Sequence, residues 1–293
     1  FGRVARSLTG RSVGVVLGGG GMRGLAHVGL LRAMVEAGIP IDHIGGTSMG
    51  AAIAAFWASS PSLETLHERC IACANANFHR SVQIPPVWSL LDGNALTRLM
   101  RRLCGDVQIE DLWTDYFSVS SNITRSEPWI HRRGALSKAV RASFSVPGLY
   151  APVVDNGDLL VDGGLLNNVP VDIMRESGAG IVIACDVGST RGPRVDPSVT
   201  EYPKASELAL GWVRKHDNKK LRFPNAAAVI SHSVVVASSH HRKKVAEQAD
   251  LMVRPDLRGI SMFDVKRLDE LIEIGYRDAS EALSQRDWGA RPQ

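Results

Sequence analysis

Ser48 lies between two glycines in the pentapeptide Gly46-Thr47-Ser48-Met49-Gly50, which matches the pattern G-x-S-x-G. In this pattern a nucleophilic serine occupies a sharp turn from a strand to a helix, where the backbone is strained and crowded and glycine is therefore favoured. The N-terminus of the following helix also favours developing negative charge. The pentapeptide alone fits an ordinary helix-entry turn, but an apolar run before it and a helical run after it favour a nucleophile.

A serine nucleophile needs a base, and the sequence offers two kinds of candidate. It contains nine histidines, and none has a recognisable catalytic context; His27 and His43 fall in a predicted helix and a predicted strand. Asp162 precedes Gly163 and Gly164 at the end of a predicted strand, which we expect to be parallel and to point the carboxylate into the same crevice as the serine. We therefore predict that Asp162 is the base, although Asp-Gly is also a common turn.

A glycine-rich loop at residues 18–24 has two possible uses. Successive glycine amides can point into a cavity, as an oxyanion hole requires. The same residues contain G-x-G-x-x-G between a predicted strand and helix, the fingerprint of a Rossmann-type dinucleotide site, and Asp42 lies near the spacing expected of a ribose ligand. The oxyanion role is favoured because the next strand runs directly into the serine motif. Its candidate donors are Gly19, Gly20 and Gly21, with Arg23 and Gly24 in support.

Arg23 itself has two interpretations. Its guanidinium could brace the glycine loop, or it could hold an anionic headgroup. The glycines around the two reacting residues are expected to permit the tight turns there. These supporting positions are Gly46, Gly50, Gly163 and Gly164.

Apolar and helical periodicity along the chain predicts the elements that must position these residues. Strands are predicted at 12–17, 39–44, 117–124, 159–161, 180–187 and 251–254. Helices are predicted at 24–37, 51–58, 62–77, 135–143, 171–176, 201–217 and 264–283. Their alternation indicates an α/β fold with a mainly parallel central sheet and helices on both faces, in three layers. The strand at 180–187 is the most apolar and is expected near the centre.

The strand predicted at 251–254 comes so late that we expect one domain over residues 1–293, with core motifs in 13–190 and residues 200–285 packed on the same domain. Residues 191–203 are rich in proline and are predicted to be a loop. Residues 78–94 are irregular. They fit either a mobile cover over a site or an ordinary surface loop.

Composition excludes several classes of protein. Hydrophobic residues make up 44% and charged residues 22% of the chain, as in globular proteins, and the net charge is +4. This mild basic excess without a long Lys/Arg stripe suits an anionic membrane surface better than nucleic acid. The densest cluster, at 240–244, is either a solvated patch or a contact for lipid headgroups.

The four cysteines are too few for a disulfide framework, and the C-x-x-C pair Cys70 and Cys73 lies in a helical run without a second pair at zinc spacing. No signal peptide or membrane-spanning run is visible. The few cysteines favour a reducing, cytoplasmic compartment, and the basic excess favours association with a membrane. No metal or other cofactor is expected.

Three motifs in order carry a resemblance to a known family. These are GGGGMRG at 18–24, GTSMG at 46–50 and LLVDGGLLNNVP at 159–170. Together they resemble a patatin-like phospholipase domain, and within that family the neuropathy target esterase type. The resemblance extends to residues 1–10, 109–113, 140–143, 249–250 and 274–276.

The resemblance implies hydrolysis of phospholipids or lysophospholipids by a Ser–Asp dyad without histidine. It places the nucleophile at Ser48, the base at Asp162 and the oxyanion amides at residues 19–21. It also implies that the intact protein carries upstream modules resembling cyclic-nucleotide-binding domains and a membrane anchor. Met22 and Met49 occupy variable motif positions, and the stretch at 85–88 matches poorly, which leaves the acyl-chain preference open. A nucleotide-binding protein and a non-catalytic membrane-binding module are the alternatives.

Overall fold

The computed structural model of the protein describes residues 2–76, 82, 89–188, 201, 226–286 and 288. These residues contain an eight-stranded sheet. Its strands are β1 (Val13–Leu17), β2 (His43–Thr47), β3 (Asp115–Asn122), β4 (Glu127–His131), β5 (Val153–Asp155), β6 (Asp158–Asp162), β7 (Ile181–Cys185) and β8 (Leu251–Val253).

The helices in the same residues are α1 (Gly2–Leu8), α2 (Ala26–Glu36), α3 (Met49–Ser59), α4 (Leu63–Asn75), α5 (Gly93–Cys104), α6 (Leu136–Ser143), α7 (Val171–Glu176), α8 (Ala226–Ala237), α9 (Ser239–Ala246) and α10 (Leu268–Ser284). Short 3₁₀ helices span Gly21–Leu25, Ile109–Asp111 and Gly163–Leu165. No helix in the described part of the chain combines the length and apolar character needed to cross a lipid bilayer.

The sheet is mainly parallel, with an antiparallel end. Hydrogen bonds connect the strands in the order β5-β6-β3-β2-β1-β7-β8, and β4 pairs with β3. All pairings from β3 through β2, β1 and β7 to β8 are parallel. The pairings of β3 with β4 and β6, and of β6 with β5, are antiparallel. Short hairpin-type connections are possible only between such antiparallel neighbours.

Alternation along the strands creates two buried faces and therefore three layers. In β1, the side chains of Val15 and Leu17 join the larger core with those of α2, α3 and α10, whereas Val16 joins a second core with α7. Every residue of β1 is buried, as expected of a strand covered on both sides. This confirms the predicted three-layer α/β class.

Three sequence predictions about the strands were wrong in detail. The strand expected at 39–44 is His43–Thr47, so two glycines assigned to a turn lie in the strand and pair with their neighbours. The strand β7 lies between β1 and β8, second from one edge, not at the centre. Its high apolar content reflects burial on both faces of the sheet, and a strand does not need to be central to be buried in this way. The short strands β4 and β5 were not predicted.

The predicted helices at 62–77, 135–143, 171–176 and 264–283 correspond to α4, α6, α7 and α10. The helix predicted at 24–37 begins instead as a 3₁₀ turn and becomes α2 at Ala26. Helices α1, α5, α8 and α9 were not predicted. The helix expected at 201–217, most of the loop at 191–203 and most of the irregular segment at 78–94 lie outside the described residues.

Candidate active site

Ser48 forms the junction between β2, which ends at Thr47, and α3, which begins at Met49. Its backbone has φ 55° and ψ −124°, in a region that residues with a side chain rarely adopt. Such strain persists only where the surroundings over-determine it, and it is typical of a nucleophile presented on a strand-to-helix turn. The side chain is buried, with 7% of the residue exposed.

The glycines on either side of Ser48 are required by close packing against β1. A β-carbon on Gly46 or on Gly50 would collide with the carbonyl oxygen of Leu17, the last residue of β1. Any larger residue at either position would force this turn away from the sheet. The predicted need for glycine at these positions therefore has its cause in a neighbouring strand.

Ser143, at the end of α6, holds the strained turn from the other side. Its hydroxyl accepts a hydrogen bond from the Ser48 amide at 2.9 Å and donates one to the Val119 carbonyl at 2.6 Å. The hydroxyl thus acts as both donor and acceptor inside the core, where Ser143 is completely buried. The backbone of Ser48 is therefore fixed by a side chain 95 residues away in the sequence.

Asp162 ends β6 and meets Ser48 directly. The Ser48 hydroxyl donates to the Asp162 Oδ2 atom at 2.6 Å. The other carboxylate oxygen, Oδ1, accepts the Gly164 amide at 2.8 Å, and the Asp162 amide donates to the Ser145 carbonyl at 2.9 Å. Both ends of the aspartate are therefore fixed, with one oxygen directed at the serine.

The strand that carries Asp162 is antiparallel, contrary to the parallel strand predicted from the sequence. On one edge of β3, β4 pairs with residues 118–122. On the opposite edge, β2 pairs with 115–119 and β6 with 120–122. The two strands thus approach each other head to head along this edge, so that Thr47 ends opposite Val119 and Asp162 ends opposite Ser120. Ser48 and Asp162 meet because their strands run toward each other.

Burial sets the charge state of the Asp162 carboxylate. The residue is 2% exposed, and desolvation raises the pKa of the Asp162 carboxyl to about 6. The hydrogen bonds from Ser48 and Gly164 act in the opposite direction and keep the pKa from rising further. The carboxylate is therefore mainly ionised at neutral pH and is a better proton acceptor than an ordinary aspartate.

The glycine loop lies against Ser48 at Gly19. A β-carbon on Gly19 would come within 3.2 Å of the Ser48 Cβ atom. The Gly18 amide donates to the Cys185 carbonyl at 3.0 Å and the Gly19 amide to the Asn168 carbonyl at 3.1 Å. The Asn168 side-chain amide returns a hydrogen bond to the Gly19 carbonyl at 3.1 Å. This pair of bonds clamps the loop to the segment after β6.

Among the three predicted oxyanion donors, the amide of Gly19 is thus already paired. Within the described residues no acceptor is recorded for the amides of Gly20 and Gly21. Gly21 has φ +58° and packs against the Met262 carbonyl, where a β-carbon would collide. The Gly20 and Gly21 amides therefore have no hydrogen bond to another described part of the chain.

His27 supports the glycine loop from within the core, a role that the sequence did not reveal. Its Nε2 atom hydrogen-bonds the Gly18 carbonyl at 2.8 Å, and the residue is fully buried. Burial lowers the pKa of the His27 imidazole to about 4, so the ring is neutral at physiological pH and Nε2 carries the donated proton. His43 hydrogen-bonds Asp115 at 3.0 Å.

The remaining motif residues lie around this core. A β-carbon on Gly24 would collide with the Met49 side chain, and one on Gly163 with the Val119 carbonyl. The Gly164 amide binds Asp162 as described. The Arg23 side chain lies beside Asp186, and desolvation lowers the pKa of its guanidinium. Its Nε atom is buried without a hydrogen-bond partner among the described residues.

Asp42, the candidate ribose ligand in the dinucleotide alternative, is buried and hydrogen-bonded within the fold. Asp42 is 1% exposed. Its carboxylate accepts bonds from the Arg6 Nη2 and Nε atoms at 2.6 and 2.9 Å and from the Val13 amide at 3.0 Å. Both carboxylate oxygens are engaged within the fold and the residue is buried, so it is not available to a ribose, which removes the main support for that alternative.

The cysteine, histidine and acidic side chains form no disulfide and no metal-binding cluster in the described part of the chain. All four cysteines are buried free thiols, and burial raises the pKa of the Cys73 thiol to about 12. Within the described residues no three His, Cys, Asp or Glu side chains are grouped so that they could hold a metal ion.

Comparison with known proteins shows which family the chain resembles. The model of the patatin-like phospholipase family matches residues 15–175. The chain is 36% identical over 291 residues to "Patatin-like phospholipase domain-containing protein 6" of Mus musculus, a match covering 94% of this chain and 21% of the relative. It is 35% identical to "Neuropathy target esterase sws" of Drosophila melanogaster, with 94% and 20% covered.

A fungal relative and one solved structure are also similar. "Lysophospholipase nte1" of Aspergillus fumigatus is 35% identical over 294 residues, covering 97% of this chain and 19% of the relative. The crystal structure of VipD from Legionella pneumophila has 15% identity and a TM-score of 0.49, covering 94% of this chain and 67% of VipD.

A nucleophile-type serine turn on a three-layer α/β sheet, with a buried carboxylate and a glycine loop beside it, defines the class of this protein. The chain belongs to the patatin-like phospholipase family. Its resemblance to the neuropathy target esterase type is confirmed by the relatives it matches, and it spans about a fifth of their length.

Proposed function

We propose that this chain is a serine hydrolase that cleaves fatty-acyl esters of phospholipids or lysophospholipids. The observation that carries the proposal is the 2.6 Å hydrogen bond from Ser48 to Asp162, on a turn where Ser48 has a positive φ. A carboxylate at hydrogen-bond distance can take the hydroxyl proton during attack. The neutral His27 is directed at the Gly18 carbonyl and not at Ser48, so the described histidine nearest the loop has a structural role.

In the proposed first half-reaction, the Ser48 Oγ atom attacks the ester carbonyl carbon while its proton passes to Asp162. The carbonyl oxygen becomes an oxyanion and is stabilised by the amides of Gly20 and Gly21; each such donor contributes roughly 10²–10³ in rate. Gly19 could join them only by giving up its bond to Asn168. The tetrahedral intermediate then expels the alcohol, which takes the proton from Asp162, and leaves an acyl-enzyme.

In the second half-reaction, a water molecule gives a proton to Asp162 and attacks the acyl carbonyl at the same oxyanion site. The fatty acid departs as the proton returns to Ser48. The cycle uses one base twice and needs no metal or other cofactor.

The choice of substrate rests on the names of the relatives, which are a phospholipase domain protein and a lysophospholipase. From the resemblance to the neuropathy target esterase type, and not from those names, we also propose action at a peripheral membrane surface in the cytoplasm and upstream modules resembling cyclic-nucleotide-binding domains in the intact protein. We also propose that the chain acts as one hydrolase domain, because β8 extends the sheet beside β7 and α10 packs on α2.

The test is labelling with a fluorophosphonate, which reacts covalently with activated serines, followed by ester hydrolysis assays. We expect labelling of the native chain, loss of labelling in Ser48→Ala, and loss of turnover with a retained fold in Asp162→Asn. Ser284→Ala, at the exposed end of α10, is the matched control and should label normally. Labelling that survives Ser48→Ala would refute the proposal. Vesicle binding without any turnover would support the non-catalytic alternative.

A further inference from the structure

A cavity of about 630 Å³ is lined by Arg23 of the glycine loop, the end of β7, α9 and the segment after β8. Its described lining excludes Ser48 and Asp162. Five cationic side chains line it against two acidic ones. The cationic residues are Arg23, Arg242, Lys243, Arg254 and Arg258, and the acidic ones are Asp186 and Asp256.

The two carboxylates neutralise only part of this positive charge. Asp256 is paired with Arg258 at 2.5 Å. Asp186 is shared between Arg242 at 3.4 Å and Arg254 at 3.9 Å, distances that are long for charge-assisted bonds. Asp186 also lies close enough to Arg23 to affect the pKa of that guanidinium. This one carboxylate therefore faces three guanidinium groups.

Two cations in the lining have no ion pair among the described residues, namely Arg23 and Lys243. The Arg23 Nε atom is buried and lacks a hydrogen-bond partner there. A buried donor atom without a partner is costly, so the Nε atom of this partly buried arginine marks a place where an anion would bind favourably.

A glycine at the cavity makes room for one of the guanidinium groups. A β-carbon on Gly188 would collide with the Arg242 Nη1 atom, so glycine at this position lets the guanidinium lie over the chain at the end of β7. The Arg242 side chain is only 12% exposed. It is thus held in place at the cavity and not extended into solvent.

We propose that this cavity is a second, anion-binding site that takes a phosphate group. A phosphate offers several oxygens in a tetrahedral arrangement and can meet guanidinium and ammonium groups that converge from three segments, as here; a carboxylate has only two oxygens. The phosphate can belong to a lipid headgroup or to a soluble phosphate ester. The site goes beyond the proposed hydrolase function and does not depend on it.

Two backbone hydrogen bonds connect the glycine loop to segments that lie at the cavity. Asp186 follows Cys185, whose carbonyl accepts the Gly18 amide. On the other side, the Met22 amide donates to the Met262 carbonyl, just beyond the segment that lines the cavity. A phosphate bound here would lie beside the loop without occupying the serine site.

The first experiment measures the binding of inorganic phosphate by calorimetry and by thermal melting, with chloride at equal ionic strength as reference. Phosphate should raise the melting temperature of the native chain, because a ligand that binds the folded state stabilises it. In Lys243→Gln/Arg254→Gln the affinity should fall about tenfold or more, the effect of losing charge-assisted hydrogen bonds. This pair is chosen because Lys243 is exposed and the Arg254 side chain is 60% exposed, so folding should persist.

Arg102→Gln, which removes an exposed charge on α5, is the control and should keep the native affinity. Equal affinity in all three proteins, or an equal loss in the control, would overturn the site. A loss confined to the double variant supports it.

The second experiment identifies the source of the phosphate with vesicles of phosphatidylcholine, with and without phosphatidic acid. Binding to phosphatidic acid that is lost in the double variant supports a lipid phosphate. Phosphate binding with no vesicle difference supports a soluble ester. Absence of both responses overturns the proposal, while fluorophosphonate labelling of Ser48 tests the hydrolase independently.

Discussion

The Asp162 carboxylate accepts the Ser48 hydroxyl at 2.6 Å because β2, which ends just before Ser48, and β6, which ends at Asp162, run toward each other along β3. The meeting depends on β3, which is longer than either partner strand and offers one edge to both. Parallel β2 brings the serine to the middle of that edge, and antiparallel β6 brings the aspartate from the other end. The proposed chemistry therefore rests on a change of strand direction within one sheet.

The first prediction concerns the pH dependence of hydrolysis. Because the pKa of Asp162 is raised to about 6, the base is protonated and inactive below that pH, and kcat/KM should rise through a midpoint near it. The measurement is kcat/KM against pH with a soluble, uncharged ester. A midpoint close to the ordinary aspartate value of 3.8 would show that another group is titrating or that the carboxyl is more solvated than the structure shows.

The second prediction is that Asp162→Asn stabilises the protein at neutral pH. The folded-state pKa lies above the unfolded value, so the ionised carboxylate costs folding free energy above about pH 6, and this cost disappears below about pH 4. A rise in the pKa of Asp162 from 3.8 to about 6 corresponds to at most about 3 kcal/mol. The asparagine can still accept the Gly164 amide.

The free energy of unfolding should therefore be higher in Asp162→Asn than in the native chain at pH 7.5, by about 1–3 kcal/mol. The difference should shrink toward zero at pH 4, as followed by urea titration at both values. A variant that is less stable than the native protein at pH 7.5 would contradict this account of the carboxylate.

The third prediction concerns Ser143 as a positioning residue. Ser143→Ala leaves the Ser48 amide and the Val119 carbonyl without partners in the core, which should cost about 1–3 kcal/mol of stability. Relaxation of the strained turn should lower kcat by up to about 100-fold, since small misplacements of reacting groups have effects of this size. KM should change little.

Ser137→Ala is the matched control for this prediction, because Ser137 is a buried serine on the same helix α6. It should keep the native kcat. If both variants lose stability and activity to the same extent, Ser143 has only a general packing role.

The fourth prediction tests His27 as the support of the glycine loop. His27→Leu removes the donor to the Gly18 carbonyl and should lower both kcat and stability, the latter by about 1–3 kcal/mol. His27→Gln can place an amide N–H near the same position and should recover part of both. A direct check is titration of the His27 ring by NMR, which should show a pKa of about 4. A value near 6.5 would mean that the ring is solvated and does not hold the loop.

Much of the site could be predicted from sequence because its residues lie in short local motifs. The strand-to-helix turn at Ser48 follows from the spacing of two glycines around a serine. The prediction of the oxyanion loop was coarser, since amide direction depends on tertiary partners: only the structure shows that Asn168 occupies the Gly19 amide. Asn168 lies in the LLNNVP motif, but the motif alone does not say which group it binds.

The supporting residues His27 and Ser143 were not predicted because nothing local distinguishes them. A histidine in an amphipathic helix and a serine at a helix end fit surface positions equally well. Their roles depend on partners 9 and 95 residues away. Complete burial of both side chains is what makes their hydrogen bonds necessary.

The sequence by itself determined the three-layer α/β class, the order of the main elements and the two residues proposed to react. These features depend on periodicity and on backbone geometry over a few residues, and both are written in neighbouring positions. Only the tertiary structure decided that β6 is antiparallel, that Asp42 is fully paired within the fold, and that cations from distant segments line one cavity. Strand direction, burial and the convergence of charges depend on contacts between segments far apart in the chain, and the local pattern of residues does not fix them.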